Sequence, residues 1–203
     1  MSILKKIGII SKSGKASDLF ESLTPKGKTF ETIKCQTAHE YIRFYWNKYL
    51  KCQNMDNAIG GKFFEYIIHT LLYREKILPF YTQAKVAFVP NIEFDTILYS
   101  AERPLCLSLK TSLRERYKQA DLEAIALKYV HRKAESYLLT LDSAATKVAN
   151  EKIKEGLIIG INQTIDCNTE QIDELVKYLQ ELSFTKSTTI EVITGNLVEK
   201  HDS

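Results

Sequence analysis

Apolar and polar positions alternate in short runs along this chain, broken by turn signals at Pro25, Gly27, Pro79, Pro90, Asn91 and Pro104. Thr37 followed by Glu40 has the spacing of a capping box and predicts a helix running to about Cys52. A second helix is predicted over roughly Asn57 to Glu75. Three strand-like stretches follow, 81–89, 92–99 and 105–110, joined by turns at Pro90-Asn91 and Glu102-Arg103-Pro104, which together make a short antiparallel meander. Ser112, with Glu115 three residues on, predicts the start of a helix that ends near Arg132. The stretch SYLLTL, 136–141, reads as a buried strand. A helix near 143–155, a strand within 157–166 and an amphipathic helix near 169–183 complete the pattern, while residues 1–36 show none that places them. The order α, three β, α, β, then α, β, α predicts an α/β fold of the α+β mixed-sheet kind, with helices on both faces. Residues 1–56 are expected to form a helical extension packed on a core over 57–203, one compact unit in all.

Length and composition narrow the reading. With 203 residues, 44% of them hydrophobic, the chain has apolar material for one sizeable core, which argues against intrinsic disorder. The longest stretch without a formal charge is 156–165, well short of the roughly 20 residues that cross a bilayer, so no membrane span is expected. Residues 1–10 carry no pattern of a cleaved signal, and a cytoplasmic location is expected. Cys35, Cys52, Cys106 and Cys167 form no CxxC pair and are expected to be free thiols, mostly buried; His39, His69, His131 and His201 have no metal-ligand spacing. Charge is uneven: residues 1–56 net +5, 57–150 net +3 and 151–203 net −5. A positive front and middle suit a polyanionic partner, and an acidic tail would be kept away from it. A merely solvated surface explains the same charges.

The candidate chemistry lies in the meander and the helix after it. Alternation puts Glu93, Asp95, Ile97 and Tyr99 on one side of the second strand, so Asp95 leaves an otherwise apolar strand in a defined direction. In the third strand Cys106, Ser108 and Lys110 share a face, and Lys110 ends it. On the following helix Glu123 falls with Arg116, Gln119, Ala120, Ala126, Leu127 and Val130, hence inward. Lys118, Asp121, Lys128 and Arg132 lie opposite, where solvent is expected, with Ile125 an unexplained exception. An inward carboxylate needs a cation or donors to meet it. Asp95, Glu123 and the Leu109 carbonyl would give oxygen ligands suited to Mg²⁺, with Lys110 beside them to orient or deprotonate a water for phosphodiester hydrolysis. Taken singly, each of these residues has an ordinary structural explanation, including an Arg116–Glu123 pair.

These residues resemble the PD-(D/E)XK nuclease superfamily, whose αβββαβ core carries a catalytic Asp and an acid-x-Lys triplet on adjacent strands. Here Ser108-Leu109-Lys110 lacks the acid, which looks like the branch of type II restriction endonucleases, the EcoRII and NgoMIV group, in which that glutamate has migrated to the following helix. Glu123 falls where the migrated glutamate would stand, and the likeness is most specific over 108–124. Phe94-Asp95 replaces Pro-Asp, a minor departure; Ser108 in place of the acid makes the likeness depend on Glu123. The resemblance implies a Mg²⁺-dependent endonuclease, with Mn²⁺ able to substitute, acting on double-stranded DNA as a homodimer. It implies Glu65, on the preceding helix, as an auxiliary acid at the metal or its water; pairing with Lys62 is the plain alternative. It also implies base reading by Arg114, Glu115 and Arg116, with Ser108 close to the DNA, at a site containing GG/CC. Lys85 and Arg103 are candidate phosphate contacts, and Tyr41, Arg43, Phe44, Trp46 and Lys48 form either a DNA clamp, a dimer contact or a core-facing helix with solvated lysines. A repair or recombination nuclease and a decayed DNA-binding module are the other readings.

Overall fold

One mixed sheet organises the chain, and its strands follow from where the apolar residues fall. In a computed structural model that describes residues 2–53, 56–89, 91–100, 102–186 and 193–200, the strands are β1 (Phe80–Val86), β2 (Phe94–Leu98), β3 (Leu105–Lys110), β4 (Glu135–Thr140), β5 (Gln163–Asp166) and β6 (Ile193–Val198), in the order β5-β4-β3-β2-β1-β6. Pro90 and His201 lie outside the described residues, so the first turn of the predicted meander is seen only from Asn91 onward. β1, β2 and β3 pair antiparallel, as the meander requires; β3, β4 and β5 pair parallel; β6 closes the far edge antiparallel to β1.

Parallel neighbours need crossovers, and the helices supply them. The helices are α1 (Ile3–Lys6), α2 (Lys15–Leu23), α3 (Ala38–Tyr49), α4 (Asn57–Arg74), α5 (Arg116–Val130), α6 (Ser143–Lys154) and α7 (Gln171–Gln180). α5 joins β3 to β4 and α6 joins β4 to β5. The central strand β3 is apolar on both sides, as a doubly covered strand must be. Leu105, Leu107 and Leu109 enter a cluster with residues of α3, α4 and α7, whereas Cys106 enters a second cluster with Phe94, Ile97 and Leu127 of the α5 side. The predicted α/β architecture with helices on both faces is therefore present, and its first six elements after α3 run α, β, β, β, α, β. No helix among the described residues is long and apolar enough to cross a membrane.

Local rules explain several element ends. The Glu40 N–H donates to Thr37 Oγ1 at 3.3 Å, and Glu40 Oε2 accepts from the Gln36 N–H at 2.8 Å, a capping box displaced by one residue on its return arm. The Ser112–Glu115 capping box does not form. α5 begins at Arg116, with Glu115 at its N-cap making no capping bond and pairing instead with Lys118. The cause is tertiary: Leu113 is buried against Ala120, Ala124 and Ala149, and its N–H donates to Asp142 Oδ2 at 3.4 Å, which holds 111–115 as a turn.

The outer side of α5 also departs from the expectation of a solvated face. Asp121 Oδ1 accepts from the Gly160 and Ile161 N–H groups at 2.6 and 3.3 Å. The loop before β5 thus packs on α5, which accounts for Ile125. A Cβ on Gly160 would sit 2.4 Å from the Asp121 carbonyl oxygen and 2.7 Å from the Ile125 nitrogen, so only glycine permits this approach. The aromatic segment of α3 is core: Tyr41 and Tyr45 are fully buried, Phe44 and Trp46 pack on the same cluster, and Lys48 donates to the Leu23 carbonyl at 2.7 Å. The burial of Tyr41 and Tyr45 leaves neither ring free to clamp DNA, while Phe44 and Trp46 are partly buried. Cys106 and Cys167 are buried free thiols, and Cys35 and Cys52 are half-buried.

Candidate active site

β2 and β3 present their charged residues at one end of the sheet. Asp95 Oδ2 accepts from the Lys110 Nζ at 2.8 Å and from the Leu109 N–H at 2.7 Å. The pair is largely shielded, with 21% of the Asp95 side chain and 16% of the Lys110 side chain exposed. Antiparallel pairing of β2 with β3, with Thr96 opposite Leu107 and Ile97 opposite Cys106, is what sets these two side chains abreast.

Two glutamates approach this pair from different helices. Glu65 of α4 accepts from Lys62 Nζ at 2.8 Å, the pairing foreseen as its plain explanation, and its side chain is 13% exposed. Burial pushes its carboxyl above the usual range; Lys62 pulls it back, the Asp95 charge pushes it further up and Lys110 opposes. Glu123 of α5 is half-buried, and its Oε1 accepts from Gln119 Nε2 at 2.7 Å rather than from Arg116, which is exposed. Burial raises the Glu123 carboxyl too, the Gln119 hydrogen bond and Lys110 lower it, and Asp95 raises it. Glu65 and Glu123 thus each feel the charges of Asp95 and Lys110, and Glu123 faces inward as its helical position predicts.

Asp95 and Glu123 carry carboxylate oxygens, the ligand type that a hard divalent cation takes. Both glutamates are held above their ordinary pKa, first by burial and also by the aspartate's like charge. A divalent cation would relieve that repulsion. Among the described residues no three His, Cys, Asp or Glu side chains stand as a ready-made cage. Of the foreseen ligands, Asp95 is held by Lys110 and the Leu109 N–H, and Glu123 by Gln119.

The remaining predicted positions separate. Ser108 is buried, 7% exposed, in β3 beside the acidic site. Arg114 and Glu115 are exposed on the turn that leads into α5, where Arg114 has a left-handed backbone, φ +35°, and Arg116 is exposed as the first residue of the helix. Lys85 is exposed on β1. Arg103 is committed elsewhere, donating to Glu135 Oε1 at 3.0 Å and to the Tyr178 hydroxyl at 2.9 Å. Sequence reasoning passes over one buried link beneath the site: His69, one turn beyond Glu65, pairs through Nε2 with Thr96 Oγ1 at 2.9 Å, tying α4 to the residue after Asp95. Its only sequence signal is the face it shares with Glu65. Comparison with protein-family models, curated proteins and solved structures returns no match for this chain.

Proposed function

We propose that the protein is a Mg²⁺-dependent endodeoxyribonuclease of the type II restriction kind, hydrolysing phosphodiester bonds of double-stranded DNA on the PD-(D/E)XK plan. One observation carries the reading: Asp95 and Lys110 are joined at 2.8 Å at the end of adjacent strands, with Glu65 and Glu123 brought within electrostatic reach from the helices on either side. Asp95, Glu123 and the Leu109 carbonyl would hold the ion, and Mn²⁺ is expected to substitute. When bound, it supplies a Lewis acid at the phosphate and lowers the pKa of water.

The chain's own groups have distinct tasks. Asp95 Oδ2 anchors the Lys110 ammonium, so Lys110 Nζ is aimed before substrate arrives and can orient the attacking water. Lys110 also faces the charge that develops on the phosphoryl oxygens. Glu65, buried and raised, is suited to hold a proton of that water. Gln119 fixes the Glu123 carboxylate from one helical turn away. Arg114, Glu115 and Arg116 stand exposed where the turn enters α5, with Glu115 paired to Lys118; there Arg can grip guanine O6 and N7 and Glu can accept from cytosine N4. A short two-fold site containing GG/CC, met by a homodimer, is the matching substrate.

Incubation with plasmid DNA and Mg²⁺ tests this reading. Discrete fragments are expected; a smear or junction-specific cutting would indicate a repair nuclease, and binding without cutting a decayed module. Lys110→Ala and Glu123→Ala are each expected to lower the cleavage rate at least about 10²- to 10⁴-fold while DNA binding persists. A Glu123→Ala protein that cuts at the normal rate would overturn the assignment of that glutamate.

A further inference from the structure

Beside the acidic site, and sharing Glu65 with it, a cavity of about 90 Å³ opens between the segment after α1, one face of α4, β1 and β6. Its floor is buried, with His69 and Thr82 each 1% exposed. Its rim carries Ser11, Lys12, Gln83 and Asn196. Among the described residues, the side chains of those four make no hydrogen bond or ion pair. His69 spends Nε2 on Thr96, and its Nδ1 is buried without a partner. A buried nitrogen left unpaired calls for a group the chain does not itself provide.

The backbone around the cavity is built for it. Gln83 has φ +49°, costly for a residue with a side chain, and the β1–β6 register shifts between Thr82 and Lys85. Bulges of this kind re-aim side chains, and such strain collects at ligand clamps. A Cβ on Gly195 would lie 2.8 Å from the Thr82 oxygen, and one on Gly8 would lie 2.7 Å from the Leu197 oxygen. Any side chain at either position would push β6 or the N-terminal segment off the wall. Lys12 brings a full positive charge, Ser11, Gln83 and Asn196 bring neutral donors, and Lys62 at 2.8 Å offsets the charge of Glu65. Converging donors around so small a space suit a tetrahedral oxyanion.

Resting on the nuclease reading, we infer that this cavity receives a phosphate group of the bound nucleic acid neighbouring the one hydrolysed, with Lys12 as its charged contact and Gln83 as a neutral one. The phosphate is either an internal phosphodiester or a strand-terminal phosphate, and the two share this chemistry. Lys12 holds the backbone in register and carries no base information.

The test is the salt dependence of binding to a fluorescent duplex in EDTA, where no cutting intervenes, for the wild type, Lys12→Ala, Gln83→Ala and the surface control Lys147→Ala. Loss of one phosphate contact should make the slope of log K against log salt shallower by about 0.9 for Lys12→Ala, with equal weakening on duplexes of unrelated sequence. Gln83→Ala should weaken binding with the slope kept. Duplexes with and without a 5′ phosphate, and inorganic phosphate as competitor, assign the source: indifference to both means an internal phosphodiester, sensitivity to both a terminal one. If the wild type cuts DNA and Lys12→Ala titrates like Lys147→Ala, the cavity assignment falls while the nuclease reading stands. If the wild type neither binds nor cuts duplex, yet inorganic phosphate raises its melting temperature and Lys12→Ala abolishes that rise, the nuclease reading falls and an oxyanion site remains. If neither ligand responds to Lys12→Ala, the inference is overturned.

Discussion

His69 shows how much one buried residue controls beneath a charged site. Burial drives its pKa from 6.5 down to about 3, so the folded chain keeps the ring neutral. Between those values the unfolded chain takes up a proton that the folded chain refuses. Stability from this ring is therefore complete above pH 6.5 and drains as the pH falls toward 3. From pH 7 to pH 5 the loss is on the order of 2 kcal/mol. Urea denaturation at the two pH values should show that extra loss in the wild type and not in His69→Gln; parallel losses in both proteins would refute it. The same residue marks where the sequence stops informing. Asp95, Lys110 and Glu123 are legible because each is a charge placed where its strand or helix face calls for something apolar. The tie from His69 to Thr96, the Gln119 donor and the Glu65–Asp95 coupling depend on which element packs on which. A periodic pattern carries no such information.

At the scale of elements, α5 decides the geometry of the site because it delivers Glu123. Its position is set from outside by the loop at Gly160, whose N–H donates to Asp121 at 2.6 Å. Gly160→Ala would drive a methyl group into the α5 backbone, which the 2.4 Å and 2.7 Å approaches leave no room to absorb. The expected cost is about 1–3 kcal/mol in urea denaturation, together with slower cleavage as Glu123 is displaced. Asp121→Ala, which strips two backbone donors of their acceptor, should cost a similar amount. A Gly160→Ala protein of unchanged stability and rate would show that the loop does not position the helix. β1 to β5 and α3 to α7 are the elements the sequence predicts. α1, with four residues, is too short to display a helical period, and α2, with nine, lies in the stretch left unplaced. β6 is a strand through its pairing with β1 across a bulge, a long-range event that no local propensity announces. The N-cap of α5 shifts by three residues, from Ser112 to Glu115, for the same reason, since Asp142, far along the chain, holds Leu113 out of the helix.

For the whole molecule, the proposed nuclease reading bears on how two strands would be cut. On the proposed nuclease reading, the net +5 of residues 1–56 and +3 of residues 57–150 suit a polyanionic partner, while residues 151–203 carry a net −5. One chain supplies one Lys110, and an acidic site of this size engages one phosphodiester at a time. Cutting both strands of a symmetric sequence then calls for a second copy related by a two-fold axis. Mixing makes this measurable. Wild type and Lys110→Ala, combined and allowed to exchange subunits, should form hybrids with one working site, and supercoiled plasmid should accumulate as nicked circles. At equal proportions half of the dimers are hybrid, so nicked product should rise to rival linear product and fall away as either parent is put in excess. Linear product alone, declining only with the dose of wild type, would mean that each chain cuts both strands by itself, and the two-fold arrangement would have to be given up while the chemistry at Lys110 stood.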